Sequence, residues 1–338
     1  MHPPQQPGWI DRPHLSLSLG DFRLESGALV HDFALSYVMH GKLDATHSNA
    51  VLALSAISST HHRLDFLIGP GRALDPAQVC VIAVDAIGNG LTTSPSNSAR
   101  QSGLAFPQFT LRDMVASQAA LLDHLRIDKL LAVVGASLGG MQALQWGVSQ
   151  PQRMARIIAM TPMARTAPWA AAINETSRRA IMADPDWAIG GAKGWAAWVP
   201  LMQLLSSRTP RQIDGEFGSS AEVVAWIEAR TAWWLEQGFA PIDWVYQSRA
   251  YDAHDVGTTA GFDGDTAAAL ASIRADTLVL APPLDLYNPA ESAHWAADQI
   301  ANATLREIPS IWGHQSASAV DATARAWLNN EIGAFLRD

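Results

Sequence analysis

One serine occupies a position where it could act as a nucleophile. Ser137 lies in Gly-Ala-Ser-Leu-Gly, a G-x-S-x-G pattern that follows the apolar run LLAVVGA and precedes a helix-forming run. A turn this tight predicts a strained backbone that holds the serine hydroxyl above a sheet, and Gly135 and Gly139 leave the space it needs. The helix behind it begins with unpaired N–H groups, so we expect the Leu138 N–H to stabilise an oxyanion. The pattern indicates acyl transfer through a covalent intermediate.

Other functions of a glycine-rich turn fit this segment less well. A phosphate-binding loop needs a Lys-Ser/Thr pair, which GASLGG lacks, and a dinucleotide-binding loop needs different glycine spacing with a downstream acidic residue. A structural strand-to-helix connection with an incidental serine is the remaining alternative. Partners for the serine later in the chain favour catalysis.

Those partners occur in the chain order found in enzymes whose serine lies in such a strand-to-helix turn, acid before base. Asp285 follows the apolar run TLVLAPP, on a loop where a carboxylate can hold one imidazole nitrogen. His314 follows the next strand-like run, and Gly313 gives its loop the freedom to turn toward Ser137. We predict a catalytic triad of Ser137, Asp285 and His314.

A second oxyanion donor is expected in the loop after the apolar run VLALSAI, because that loop faces the nucleophile turn in such folds. The Ile57 N–H is the candidate, with Ser58 next to it. His61 and His62 follow nearby, but adjacent histidines without a carboxylate or cysteine at ligand spacing rarely bind metal, so no metal is expected. Asp85, before a turn-rich loop, is interpreted as structural.

The elements that must position these residues follow from the hydrophobic pattern. Uniformly apolar runs at 51–57, 80–86, 130–136 and 156–162 predict central parallel strands buried on both faces, and strand texture returns at 277–283 and 303–309. Segment 111–127 has apolar residues at helical spacing, and an amphipathic helix is predicted from residue 322 to the end. We expect an α/β fold with helices on both faces of the sheet.

An inserted helical lid is expected between two parts of the core. Eight of the 13 tryptophans fall between Trp169 and Trp244, in Ala-rich helical texture. The predicted division is core at 1–165, lid at 166–265 and core again at 266–338. Most of these rings are expected to pack inside the lid, and a few to line an acyl pocket.

Composition excludes several classes of protein. A net charge of −9 without basic runs argues against nucleic acid as a partner. No apolar run is long enough to span a membrane. The N-terminal segment MHPPQQPGWIDRPH lacks the features of a secretory signal, so a cytoplasmic location is expected. The single cysteine, Cys80, lies in an apolar run and is expected to be a core residue.

Beyond the general pattern, the sequence resembles the homoserine O-acetyltransferase family over nearly its whole length. The resemblance is carried by IGPGRALD (68–75), 106–125, GASLGGMQALQW (135–146) and 174–187, with LDLYNP and GHQSAS around the acid and base. It implies an α/β-hydrolase fold with a helical lid, Ser137 as nucleophile, a ping-pong acyl-enzyme cycle and a lid that often builds a homodimer.

Two departures from the family bear on the substrate. The family usually has Asp after the catalytic His, to engage the substrate amino group, whereas Gln315 follows His314 here. The family's lid Arg for the homoserine carboxylate has no counterpart in the aligned segment GWAAWVPLMQLLSS. With DAIGNGLTTSPSN (85–97), these losses resemble the family branch that hydrolyses small acetate-type esters.

The predicted function is therefore a serine carboxylic ester hydrolase acting on a small ester, without a cofactor. An O-acetyltransferase using acetyl-CoA as co-substrate is the alternative, because water and an alcohol resolve the same acyl-enzyme. A non-catalytic binding module is a third interpretation, against which the intact triad order argues.

Overall fold

The computed structural model describes residues 2–337. Its strands are Leu15–Arg23 (β1), Leu29–His40 (β2), Ala50–Leu54 (β3), Cys80–Val84 (β4), Leu130–Ala136 (β5), Met154–Met160 (β6), Asp276–Ala281 (β7) and Ala303–Glu307 (β8). They form one sheet in the order β1-β2-β4-β3-β5-β6-β7-β8. Strands β3 to β8 are parallel, while β2 pairs antiparallel with β1 and β4.

The helices are Leu111–His124 (α1), Leu138–Ser149 (α2), Pro168–Met182 (α3), Ala192–Leu205 (α4), Pro210–Glu216 (α5), Ser220–Glu236 (α6), Pro241–Asp252 (α7), Thr266–Ala271 (α8), Ala290–Gln299 (α9) and Ala322–Arg337 (α10). Short 3-10 turns cover His61–Leu67, Gly103–Ala105, Trp187–Ile189, Val256–Thr258 and Gly313–Ala317. The predicted α/β-hydrolase fold is confirmed.

The six predicted strands all form, each within two residues of its expected start. Every residue of β3 and β4 is buried, as expected for strands covered on both faces. Cys80 begins β4 as a buried free cysteine, and burial raises the pKa of its thiol to about 11, so it is a core residue. The strands β1 and β2 were not predicted.

Helix α1 shows how sequence sets an element's limits. The Thr110 side chain accepts from the Asp113 N–H, and Asp113 accepts in return from the Thr110 N–H, which closes a capping box. The helix ends at His124 rather than at the predicted residue 127, because Arg126 adopts a left-handed φ of 56°.

The helices α3 to α7 lie between β6 and β7, where the lid was predicted. Helix α4 contacts both α3 and α6, whereas α8 packs against α2 and α9 of the core. The predicted lid boundary at 265 thus lies between α7 and α8. Met1 and Asp338, the outer limits of the predicted core segments, lie outside the described residues. Within 2–337, no helix is both long and apolar enough to cross a membrane.

Candidate active site

The nucleophile turn joins β5 to α2 and is strained at the serine. Ser137 has a φ of 59° and a ψ of −125°, a conformation that costs a non-glycine residue free energy. A Cβ on Gly135 would collide with the Gly139 carbonyl, and one on Gly139 would lie 2.8 Å from the Leu54 carbonyl oxygen. These glycines therefore let the helix approach β3 and β5 closely enough to hold the turn.

The serine backbone is fixed from the neighbouring strand. Its N–H donates to the Met160 carbonyl and to Thr161 Oγ1, at 3.0 Å each. Thr161 is itself left-handed, with a φ of 46°. Because the backbone is held from β6, the Ser137 hydroxyl is presented at the carboxyl end of the sheet.

The structure brings Ser137, His314 and Asp285 together. His314 Nε2 lies 2.8 Å from Ser137 Oγ, and His314 Nδ1 lies 2.7 Å from Asp285 Oδ2. All three residues are buried. A carboxylate only accepts hydrogen bonds, so Nδ1 carries the proton and Nε2 of the neutral ring accepts from the serine hydroxyl. This is the arrangement that general-base activation of a serine requires.

The acid is held by its own loop. Asp285 Oδ1 accepts from the N–H groups of Tyr287, at 2.8 Å, and Asn288, at 2.9 Å. The Asn288 side chain donates to the Thr161 carbonyl, 2.7 Å away, which ties this loop to the nucleophile turn. The carboxylate therefore has one oxygen fixed by the backbone and the other directed at His314.

A polar network connects this loop to the lid. Tyr287 packs edge-on against the His314 ring, and its hydroxyl donates to Asn174 Oδ1 at 2.6 Å. Asn174 in turn donates to Asp252 Oδ1, and Asp252 forms a 2.6 Å ion pair with Arg178. Burial raises the pKa of Tyr287, so its phenol stays protonated. Sequence reasoning missed this network, although Asn174 and Arg178 lie in the segment 174–187 and Tyr287 lies in LDLYNP, which both carry the family resemblance.

The loop after β3 lies against the start of α2, as expected. The Gln142 side chain donates to the Ser55 carbonyl at 3.1 Å. In the loop, the Ala56 N–H donates to Ser59 Oγ and the Ser58 N–H to Gln247 Oε1. The Ile57 N–H, between them, has no acceptor among residues 2–337, and Ile57 lines the same cavity as Ser137.

The chain is similar to known proteins in sequence and in fold. Residues 66–190 match the family model described as the alpha/beta hydrolase fold. A homoserine O-acetyltransferase of Thermus thermophilus is 31% identical over 87% of this chain and 84% of its own length. This chain belongs to the homoserine O-acetyltransferase family. Family membership makes it an acyl-transferring or hydrolysing enzyme, so the interpretation as a non-catalytic module fails.

Solved structures similar to this family member include ester hydrolases. An acetylester hydrolase from Corynebacterium glutamicum superposes with a TM-score of 0.89 at 27% identity, covering 96% of each chain. The acetyl esterase MekB has the same TM-score at 28% identity, covering 96% of this chain and 97% of its own. The homoserine O-acetyltransferase fold therefore also occurs in proteins named as hydrolases.

In this family member the nucleophile opens into a cavity of about 480 Å³ between core and lid. The core contributes Ser137 and His314 to its wall, and the lid contributes apolar side chains, namely Trp198, Met202, Trp233, Trp234, Phe239 and Trp244. Trp195 and Trp198 stack with ring centroids 4.1 Å apart inside the lid. Of the eight tryptophans between Trp169 and Trp244, only Trp195, Trp198 and Trp244 are buried, whereas four line the cavity, so fewer rings pack inside the lid than expected.

Two polar groups of the cavity bear on what the family member binds. Gln315, a neutral amide, lines the cavity directly beside His314. Helix α4 has no arginine, as the sequence indicated, but Arg230 from α6 lines the cavity and lies over the Trp233 ring, 4.0 Å from its centroid. Burial, with a smaller contribution from Arg208, lowers the pKa of Arg230 to about 10, so it remains a cation. Sequence reasoning missed this lid arginine.

The two adjacent histidines have carboxylate partners that their spacing did not reveal. Asp85 Oδ2 lies 3.0 Å from His61 Nδ1, and Asp65 Oδ2 lies 2.7 Å from His62 Nδ1. Asp85 also accepts from the Ser36 hydroxyl and the Asn89 side chain, in keeping with a structural role. The structure places a third histidine, His2, against this pair.

Proposed function

We propose that this enzyme is a serine carboxylic ester hydrolase acting on small acetate-type esters through an acyl-enzyme at Ser137. The observation that carries the proposal is the hydrogen-bonded chain from Ser137 Oγ through His314 to Asp285, with separations of 2.8 and 2.7 Å. It supplies a nucleophile, a base of fixed tautomer and an acid that holds the base.

The proposed reaction has two halves. His314 Nε2 takes the Ser137 proton as Oγ attacks the ester carbonyl, and the imidazolium, stabilised by Asp285, then protonates the leaving alcohol. Water enters, loses a proton to Nε2 and attacks the acyl carbon, and His314 returns that proton to Ser137 Oγ. The products are a carboxylic acid and the regenerated serine.

We assign the oxyanion donors to the N–H groups of Leu138 and Ile57. Leu138 begins α2, so its N–H lacks an intrahelical acceptor. In the loop after β3, the Ala56 N–H already donates to Ser59 and the Ser58 N–H to Gln247. The N–H of Ile57, between them, is therefore the donor we assign, rather than that of Ser58. One donor of this kind contributes about 100- to 1,000-fold to kcat.

The presence of Gln315 favours hydrolysis over the acetylation of homoserine. An amide at this position offers no charge to a substrate ammonium group, and α4 offers no guanidinium to a carboxylate. Loss of a charged partner for a buried ionic group typically costs about 2–5 kcal/mol. Two similar solved structures carry the names acetylester hydrolase and acetyl esterase, which supports small acetate esters.

The alternative is an O-acetyltransferase that uses acetyl-CoA. Arg230 is the observation that favours it, because this cavity cation has no carboxylate partner among the described residues. An anionic group on a donor or an acceptor would pair with it. Acetyl-CoA is thus a co-substrate only under this alternative, and neither proposal requires a cofactor.

Turnover of 4-nitrophenyl acetate and of acetyl-CoA, each with and without homoserine, separates the two functions. We expect rapid nitrophenol release and no homoserine-dependent thiol release from acetyl-CoA. Thiol release that requires homoserine and falls in an Arg230→Gln variant, but not in an exposed Arg179→Gln variant, would establish the acetyltransferase instead.

We further propose a cytoplasmic location and a homodimer formed through the lid. The small-molecule ester or acyl donor is the partner we expect, and neither nucleic acid nor a membrane is proposed. The exposed apolar side chains Trp169, Val224 and Leu235 on lid helices support the dimer.

A further inference from the structure

Three histidines meet outside the triad, and one of them, His62, lines the cavity. His61 and His62 begin the 3-10 turn that follows the β3 loop, and His2 comes from the N-terminal segment. One ligand nitrogen from each lies within 4.8 Å of the others. We propose that His2, His61 and His62 form a binding site for one divalent transition-metal ion such as Zn²⁺.

The hydrogen bonds fix the tautomer of all three rings. The Nδ1 atoms of His61 and His62 each face a carboxylate oxygen, of Asp85 at 3.0 Å and of Asp65 at 2.7 Å. His2 Nδ1 lies 2.6 Å from the Pro3 carbonyl oxygen. Carboxylates and carbonyls only accept, so Nδ1 is the protonated nitrogen in each ring. Every neutral ring therefore presents the lone pair of Nε2.

These lone pairs face one another. His2 Nε2 and His62 Nε2 are 3.1 Å apart, and His61 Nε2 is buried without a partner among the described residues. Lone pairs at this separation repel unless a cation lies between them. Tetrahedral Zn²⁺ with Zn–N bonds of 2.0–2.1 Å holds its ligand nitrogens about 3.3 Å apart, close to the observed separation.

The surroundings are those of a metal site. Metal-binding histidines usually donate their second nitrogen to a carboxylate or a carbonyl, as all three do here. The Trp9 ring stacks on His62 at 4.2 Å between centroids, which holds the imidazole in place. The His14 ring lies 4.7 Å from that of His61 and supplies a fourth ligand if its side chain rotates; otherwise water takes that position.

A proton shared between His2 and His62 is the competing explanation for the short contact. A proton shared by that pair leaves the buried His61 Nε2 without a partner, whereas a metal ion bound by all three Nε2 atoms accounts for it as well.

Such an ion would anchor the N-terminal segment to the core. Gln6 in this segment donates to Gln237 after α6 at 2.8 Å, and the Ile10 N–H donates to Asp65 Oδ2 at 2.7 Å. Residues 6–9 line the same cavity as Ser137. The metal ion thus has a structural role. It holds the N-terminal segment, which itself contacts the lid, against the core, and it is separate from the proposed chemistry at Ser137.

The test is metal binding by the full chain without a polyhistidine tag. Calorimetry measures Zn²⁺ binding, and the visible spectrum of the Co²⁺ form reports the coordination geometry. We expect one Zn²⁺ per chain, and Co²⁺ absorption of the intensity that tetrahedral coordination gives. His2→Ala should weaken binding by at least the 10- to 100-fold expected for loss of an outer-shell partner, and Asp65→Asn by about that amount. His124→Ala, exposed on α1, is the matched control and should bind as the parent does.

His2 lies outside the sheet and the helices, so its replacement tests the site while leaving these elements intact. Ser137→Ala should bind Zn²⁺ normally, which separates this proposal from the proposed function. Absence of stoichiometric Zn²⁺ binding, or equal affinity in the parent and His2→Ala proteins, would overturn the site and leave a shared proton as the explanation for the histidine contact.

Discussion

At the residue scale, the proposed catalysis depends on which nitrogen of His314 carries the proton. Asp285 accepts two backbone N–H groups on one oxygen and faces His314 Nδ1 with the other, so it cannot rotate away without losing them. Its carboxylate therefore selects the tautomer in which Nε2 is free to deprotonate Ser137.

Asp285→Asn tests this role. The amide can donate to Nδ1 and so favours the wrong tautomer, which lowers kcat by about 10⁴ in a triad of this type. Ester turnover is the measurement, and Asp298→Asn, on the exposed side of α9, is the control. A loss of less than tenfold in Asp285→Asn would contradict the proposed role.

His254 is the residue through which we predict acid sensitivity. Burial lowers the pKa of His254 to about 3 from its ordinary value of 6.5, with a smaller effect of Arg112 and opposition from a hydrogen bond to the Met163 backbone. Between these values the unfolded ring is protonated and the folded ring is neutral, so stability falls as pH falls through that window, by up to about 1.4 kcal/mol per pH unit.

His254→Gln should flatten this dependence. Urea unfolding of the parent and the variant at several pH values measures it, with His124→Gln on the surface of α1 as the control. The prediction is wrong if the parent and His254→Gln lose stability equally on acidification.

The meeting of Ser137, His314 and Asp285 could be predicted from the sequence, but the contacts that hold them could not. Ser137, Asp285 and His314 could be predicted because each follows a recognisable apolar strand in a set order. The Tyr287 to Asn174 hydrogen bond joins residues 113 positions apart, and His2 meets His62 across 60 positions. Contacts of this kind depend on how the lid and the N-terminal segment fold back, which local pattern does not encode.

At the scale of elements, the close approach of α2 to β3 holds the nucleophile turn. Gly139→Ala would place a Cβ 2.8 Å from the Leu54 carbonyl oxygen and push the helix start away. We expect lower thermal stability and at least tenfold lower kcat, because a displacement of about 1 Å at a reacting group costs roughly 100-fold.

Gly215→Ala, in another helix, is the matched control for the Gly139→Ala substitution. A Cβ on Gly215, within α5, meets no atom within 4 Å, so alanine should stabilise the protein by up to about 1 kcal/mol. Thermal unfolding and ester turnover of both variants decide the matter. Unchanged turnover in Gly139→Ala would contradict the packing argument.

The strands show what periodicity can and cannot predict. Buried parallel strands such as β3 and β4 are unbroken apolar runs and were found. Strand β1 contains LSLSL, whose alternation is the signal of a half-exposed strand, but this signal lies beside a polar N-terminal segment. Its bulges between Ser18 and Phe22 break that alternation, so the pattern is short.

At the scale of the whole molecule, the lid helices line the cavity of Ser137 and also carry exposed apolar side chains. Helix α6 has no fully buried residue although it carries three tryptophans, and Val224 on it is 54% exposed. We expect a dimer in sedimentation experiments that Val224→Glu weakens at least tenfold. The control is Leu104→Glu, which replaces an exposed apolar residue outside the lid. A monomeric parent protein would disprove the lid dimer.

The central claim is that acyl transfer proceeds through Ser137 Oγ. Mass spectrometry of the protein after reaction with a fluorophosphonate, alongside 4-nitrophenyl acetate turnover of the parent and Ser137→Ala proteins, tests it most directly. We expect a single adduct on Ser137, absent from a folded Ser137→Ala protein whose kcat is lower by about 10⁶. An adduct on another residue, or turnover retained in Ser137→Ala, would contradict it.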